Sequence, residues 1–170
     1  MFTGIVRHTP YWVWLLLITL LAAGLWQTRA RQMSLMRVTI LPLVLIVLSL
    51  TGALSAFGHM PIALVAWATG AGAALGLARD VVAVRGARWS ARTGFLDVPG
   101  SWLPLTMIIG SFAVKYVAGA SLGLHPALVN DPVFAGLCSL AYGSFSGMFL
   151  ARALSLRQLA AHGARELQPT

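Results

Sequence analysis

Runs of apolar residues alternate with short polar links along this chain. The runs are Tyr11–Trp26, Val38–Phe57, Pro61–Ala78, Trp102–Leu124 and Val133–Leu150. About 20 mostly apolar residues let a helix cross the hydrocarbon core of a bilayer. The pattern therefore predicts an all-α membrane protein with five transmembrane helices, forming a single domain over residues 1–170. Two links are short, Gly58–Met60 and His125–Pro132, with Asp131 their only charge. The longest link, 79–101, begins with the β-branched run Val81-Val82-Ala83-Val84. It returns through Trp89 and Phe95-Leu96-Asp97-Val98, with Gly86 and Gly94 as breakers. Such a pattern predicts a two-stranded β-hairpin over 81–98, lying against the membrane surface because an isolated hairpin is marginal in water. The tail beyond residue 157, rich in Leu, Ala, Arg and Gln, is expected to continue the fifth helix and then fray.

Charge sets the orientation. Arg29, Arg31 and Arg37 lie between the first two runs, and Arg79, Arg85, Arg88 and Arg92 between the third and fourth. Arg152, Arg157 and Arg165 follow the fifth. Ten arginines thus share one side, against Arg7 alone on the other. Cytoplasmic loops collect Lys and Arg, so the N-terminus is expected outside and the C-terminus inside. The first run has more positive charge after it than before it and no small-x-small cleavage site. It reads as a retained helix rather than a signal peptide.

With 58% hydrophobic and 9% charged residues, the chain is far from the roughly 25% charged residues of soluble domains. Its excess of basic residues is scattered over short loops with no aromatic-studded groove, which argues against nucleic acid. Contact with the bilayer and its anionic inner-leaflet lipids accounts for it better. Cys138 is the one cysteine, so neither an intramolecular disulfide nor a cysteine metal cluster can form. Eleven arginines to one lysine fit a GC-rich bacterial genome, and hence a multi-pass protein of the bacterial inner (cytoplasmic) membrane. A weak internal repeat pairs Leu41-Pro42-Leu43 with Leu103-Pro104-Leu105, and Gly72-x-x-x-Gly76 with Gly143-x-x-x-Gly147.

Several stretches carry a family resemblance: Arg7-His8-Thr9-Pro10-Tyr11-Trp12-Val13-Trp14, Val98-Pro99-Gly100-Ser101-Trp102-Leu103-Pro104, Lys115-Tyr116 and Tyr142-Gly143-x-Phe145-Ser146-Gly147. In these the chain resembles a group of small proteobacterial five-span inner-membrane proteins of unknown function. The likeness covers nearly the whole chain and implies no activity. More distantly the layout resembles the CcdC type, linked by name to cytochrome c biogenesis. This chain has no cysteine pair for thiol exchange, so no redox role follows.

No catalytic signature is present, and four acidic residues give little material for acid–base work. The chain therefore reads as a non-enzymatic accessory or assembly protein with no cofactor. Lys115 is the residue that opens an alternative. It lies nine residues before the end of its run, about 13 Å below the helix end at 1.5 Å per residue. An ammonium there is costly and by default marks a functional position. Counting to the same depth in neighbouring runs reaches Thr19, Ser49, Thr69 or Gly70, and Tyr142, and Ser111 lies one turn away on its own helix. Two readings stand. One is a structural lysine, bonded to Tyr142 and carbonyls or reaching toward Asp131. The other is a small transporter or channel with a polar layer around Lys115.

Further candidates are less specific. Gly72/Gly76, Gly119/Gly123 and Gly136/Ser139/Gly143/Gly147 permit close helix packing, within one chain or in a homodimer. His8, His59 and His125, with Met60 and Asp131, share the outer side and could form a metal or haem site, although no ligand spacing supports one. Arg85, Arg88 and Arg92 around Trp89 form an inner basic surface for anionic lipid or an acidic partner.

Overall fold

One long helix organises the molecule. The computed structural model describes residues 11–82, 84, 86–90 and 94–165. Five helices hold most of them: α1 Tyr11–Trp26, α2 Leu35–Phe57, α3 Pro61–Leu77, α4 Leu103–Leu124 and α5 Pro132–Arg165. A helical turn, Arg79–Val82, follows α3, and a 3₁₀ turn, Pro126–Asn130, precedes α5. Helix starts are chemically marked. Ser34 Oγ accepts the Arg37 N–H at the head of α2, Pro61 opens α3, and Asp131 Oδ1 accepts the N–H groups of Val133 (2.8 Å) and Phe134 (3.3 Å) at the head of α5. Proline at the first helical position forfeits only an N–H that would be unpaired anyway.

Three helices, Leu35–Phe57, Leu103–Leu124 and Pro132–Gly163, are long and apolar enough to cross a membrane. Leu17–Trp26 and Pro61–Leu77 are shorter apolar helices. At 17 residues α3 is about 26 Å long, against about 30 Å of hydrocarbon. The observed helix bounds lie within a few residues of the apolar runs, and α5 continues fifteen residues past Leu150, as expected of the tail.

α3 and α5 touch backbone to backbone. A methyl group at Gly143 would collide with the Trp67 carbonyl, one at Gly147 with the Ala71 carbonyl, and one at Gly70 with the Leu140 carbonyl. α2 and α4 pack on other sides of α5, and α1 packs on α4 where Leu105 fills the space left by Gly24. The proposed sequence repeat does not correspond to equivalent structure. Pro42 lies eight residues into α2, whereas Pro104 is in the first turn of α4. Gly143 and Gly147 are packed, while Gly72 and Gly76 face open space.

The inner loop corrects the hairpin expectation in three respects. Residues 81–82 are helical, and the strands are β2 Arg88–Ser90 and β3 Phe95–Val98. A third strand, β1 Arg31–Met33 from the link between α1 and α2, completes an antiparallel sheet of order β1-β3-β2. Its registers are Met33↔Leu96 and Trp89↔Leu96. The expected packing surface is also replaced. One face of the sheet packs on the end of α5, forming a core of Val38, Ala87, Leu96, Val98, Leu156 and Ala160. Trp89 joins this core, and its side chain comes so close to Gly163 that any Cβ there would crowd it. The helix thereby supplies the apolar surface a three-stranded ribbon needs.

Leu96 is fully buried at the centre of this core. Leu96→Ala should cost roughly 2–5 kcal/mol, the usual range for such cavities, and should release the sheet before the helices. Limited proteolysis is expected to cut between residues 84 and 98 in the variant while far-ultraviolet circular dichroism retains its helical signal. Cleavage at the parental rate would contradict this packing.

Candidate functional site

Hydroxyls inside a helix commonly bond the carbonyl three or four residues back, and so contribute nothing between helices. Thr69 does this with Val65 (2.8 Å) and Ser111 with Ile108 (2.9 Å). Both drop out of the expected layer; Thr69 is exposed. Ser49 behaves differently. It is buried in α2 and donates across to the Tyr142 carbonyl on α5 at 3.1 Å. Ser146 Oγ donates to the same carbonyl at 3.0 Å, and Trp67 Nε1 on α3 donates to Ser49 Oγ at 3.2 Å. Ser49 thus ties three helices together.

Lys115 reaches this node from α4. Its Nζ donates to the Leu48 carbonyl at 3.3 Å and lies 5.8 Å from the centroid of the Tyr142 ring. Within about 6 Å of a ring face, an ammonium is attracted by the ring quadrupole. Nζ also lies beside Gly52, where a Cβ would sit at an ordinary contact of 3.6 Å. The expectation that a hydrogen bond would run from Lys115 to Tyr142 is therefore corrected. The bond goes to a carbonyl of α2, and Tyr142 contributes its ring. Lys115 is half-buried in the groove between α2 and α4 rather than enclosed by the bundle. Asp131, the other suggested partner, caps α5. Among the described residues no carboxylate pairs with Lys115. Ser139 Oγ, fully buried one turn before Tyr142, has no hydrogen-bond partner among the described residues.

Trp67 was missed as a member. The available signal was an indole six residues into an apolar run, where its N–H needs an acceptor. Beside it a shallow apolar cleft of about 140 Å³ opens between the C-terminal end of α2 and the N-terminal end of α3, with His59 and Met60 at its rim.

The other candidates are not brought together. His59 and His125 are exposed, and no three His, Cys, Asp or Glu side chains converge among the described residues. His8 lies outside those residues, as do Arg85 and Arg92 of the basic surface. Arg88 is exposed on β2, on the face of the sheet opposite the α5 core, where it pairs in register with Asp97. Of the glycine faces, Gly72, Gly76, Gly119, Gly123 and Gly136 meet nothing within 4 Å. Of the expected stripes, Gly143, Gly147 and the buried Ser139 are used inside the chain.

These features define a mostly helical protein whose apolar helices carry a buried hydroxyl–carbonyl node with a cation at its edge. The chain belongs to DUF6622, a family of unknown function, whose model matches residues 1–166. No curated protein and no solved structure matches it.

The packing and the node give separable expectations. Gly143→Leu should abolish folding or sharply lower the thermal midpoint, because the Trp67 carbonyl cannot retreat. Gly136→Leu, which meets open space, should melt within about 0.5 kcal/mol of the parent, the usual range for surface changes. Equal melting temperatures for the two variants would refute the α3–α5 contact.

Proposed function

We propose that this chain is a five-span integral protein of the cytoplasmic membrane, acting as a non-enzymatic accessory or assembly protein. The carrying observation is the outward face of α2. Ile40, Leu43, Val44, Val47, Leu48 and Leu54 are all exposed, at helical spacing, which supports a face turned to hydrocarbon. A contiguous apolar stripe turned outward is the reverse of a soluble helix. The two shorter helices cross as well in this reading, with the bilayer thinning locally to match them at modest cost. Alternate links then fall on opposite sides, and the ten-to-one basic asymmetry assigns the sheet and the end of α5 to the cytoplasm. Anionic inner-leaflet lipids are the first partners in this reading. The open Gly72/Gly76 and Gly119/Gly123 faces are available to a second copy.

A second reading is supported by one observation: a cation with no carboxylate partner, held midway along the apolar helix α4. In that reading Lys115 attracts an anion or passes a proton on a route through the groove between α2 and α4. Lys115→Met separates the two. If the lysine is structural, the variant should fold and melt close to the parent, because hydrocarbon accommodates methionine. If it serves transport, the variant should fold normally and lose flux in proteoliposomes. An unfolded variant would exclude the transport reading as the sole role.

Topology is tested directly. In a Cys138→Ser background, single cysteines at positions 59 and 128 should react with a membrane-impermeant maleimide on intact spheroplasts. A cysteine at position 88 should react only after permeabilisation. Labelling of position 88 from outside would overturn the orientation.

A further inference from the structure

Strand parity gives Arg31 an unusual position. Residues directly opposite in antiparallel strands present their side chains to the same face. Arg31 pairs with Val98 and Met33 with Leu96, so Arg31 lies on the face that packs against α5. On α5, Leu156 belongs to that same core, and Arg152 lies one turn before it, toward the apolar half of the helix. The two arginines therefore meet where the sheet, the helix and the bundle join. Both are half-buried. Arg37, in the first turn of α2, adds a third positive charge that opposes Arg31, and Arg31 in turn opposes Arg152. Desolvation first, and then Arg37, holds the Arg31 guanidinium below its usual pKa.

Among the described side chains, which do not include those of Asp80 and Glu166, nothing offsets this charge. Arg152 Nη1 donates to the Val82 carbonyl at 3.3 Å, which orients the guanidinium but leaves its charge uncompensated. Asp97 faces away, since its partners Gln32 and Arg88 lie on the opposite face. Asp131 is committed to the far end of α5. No ion pair engages Arg31, Arg37 or Arg152 among the described residues. Partly desolvated like charges oppose folding unless a counter-charge joins them. Arg31 and Arg152 are thus half-buried together at the seam, with the exposed Arg37 beside Arg31.

We propose that Arg31, Arg37 and Arg152 form a binding site for a phosphate group at the seam between the sheet and α5. Guanidinium forks match phosphate oxygens in paired, charge-assisted hydrogen bonds. The phosphate can belong to a lipid headgroup or be free in solution. The site is distinct from the Arg85, Arg88 and Arg92 surface, and it stands whether or not the Lys115 reading does.

The test uses the full-length protein in neutral detergent, following its thermal midpoint. One arm adds inorganic phosphate, with chloride at matched ionic strength as control. The other adds micelles carrying phosphatidylglycerol, with phosphatidylcholine as control. A saturable rise in either arm is expected; a rise with phosphate identifies a free anion, and one with phosphatidylglycerol alone a headgroup. Arg31→Gln and Arg152→Gln should each weaken the response about ten- to hundred-fold, the value of losing a hydrogen bond to a charged group. Arg88→Gln, on the other face, should respond as the parent does. Without anion, Arg31→Gln should melt at or above the parental temperature, because a repulsion has been removed. No rise in either arm overturns the proposal, as does a parental response from Arg31→Gln or a lower anion-free midpoint for it. If Arg152→Gln, which also loses the Val82 contact, does not fold, Arg31→Gln decides alone.

Discussion

Helices without a strong hydrophobic drive between them hold together by close packing, and here that packing is a backbone contact. Gly143 and Gly147 on α5 and Gly70 on α3 bring main chain against main chain, so that carbonyls of one helix fill the space a side chain would take on the other. Everything else is referred to that seam. Trp67, whose carbonyl touches the Gly143 position, sends its indole N–H to Ser49 and so draws α2 into register. Ser49 passes the constraint to the Tyr142 carbonyl one residue from Gly143. Lys115 then lies against the Tyr142 ring because α2 and α5 have already been set. The polar node is a consequence of the glycine seam rather than an independent device.

Much of this was legible in the sequence, and the division has a physical basis. A bilayer fixes how long an apolar run must be, so α1 and α2 end as expected at Trp26 and Phe57, and Pro61 announces the start of α3. Depth along a helix is also readable, since each residue advances a fixed rise; that is why counting brought Tyr142 and Ser49 to the level of Lys115. Rotation about the axis and lateral order are not readable from one helix alone. The count therefore admitted Thr69 and Ser111, whose hydroxyls turn back to their own helices, and passed over Trp67. It also could not distinguish Gly70, which is packed, from Gly72, which is open.

The inner sheet shows the same limit more sharply. Phe95-Leu96-Asp97-Val98 alternates in character and lies beside a glycine turn, so β3 carried a local signal. β1 is Arg31-Gln32-Met33, three residues with no apolar period, and its partner strand lies more than sixty residues downstream. Only the tertiary fold makes it a strand. The surface the sheet packs on was not readable either: the tail was expected to continue the fifth helix, but nothing in its mix of Leu, Ala, Arg and Gln said that Leu156 and Ala160 would face Leu96. An apolar face was needed, and the protein provides its own.

That arrangement imposes an order in time. β1 emerges near the start of synthesis, yet the residues that bury it, Leu96 on β3 and Leu156 and Ala160 on α5, come last. Translation proceeds at about 5–20 residues per second, so Met33 waits on the order of ten seconds for its core to exist. During that interval Arg31–Met33 gains its strand partner, Phe95–Val98, before the helix that covers them both is made. Arrival of the C-terminal turns of α5 is therefore the event that closes the molecule. A chain truncated within α5 would carry every apolar helix in recognisable form and still leave its inner face open.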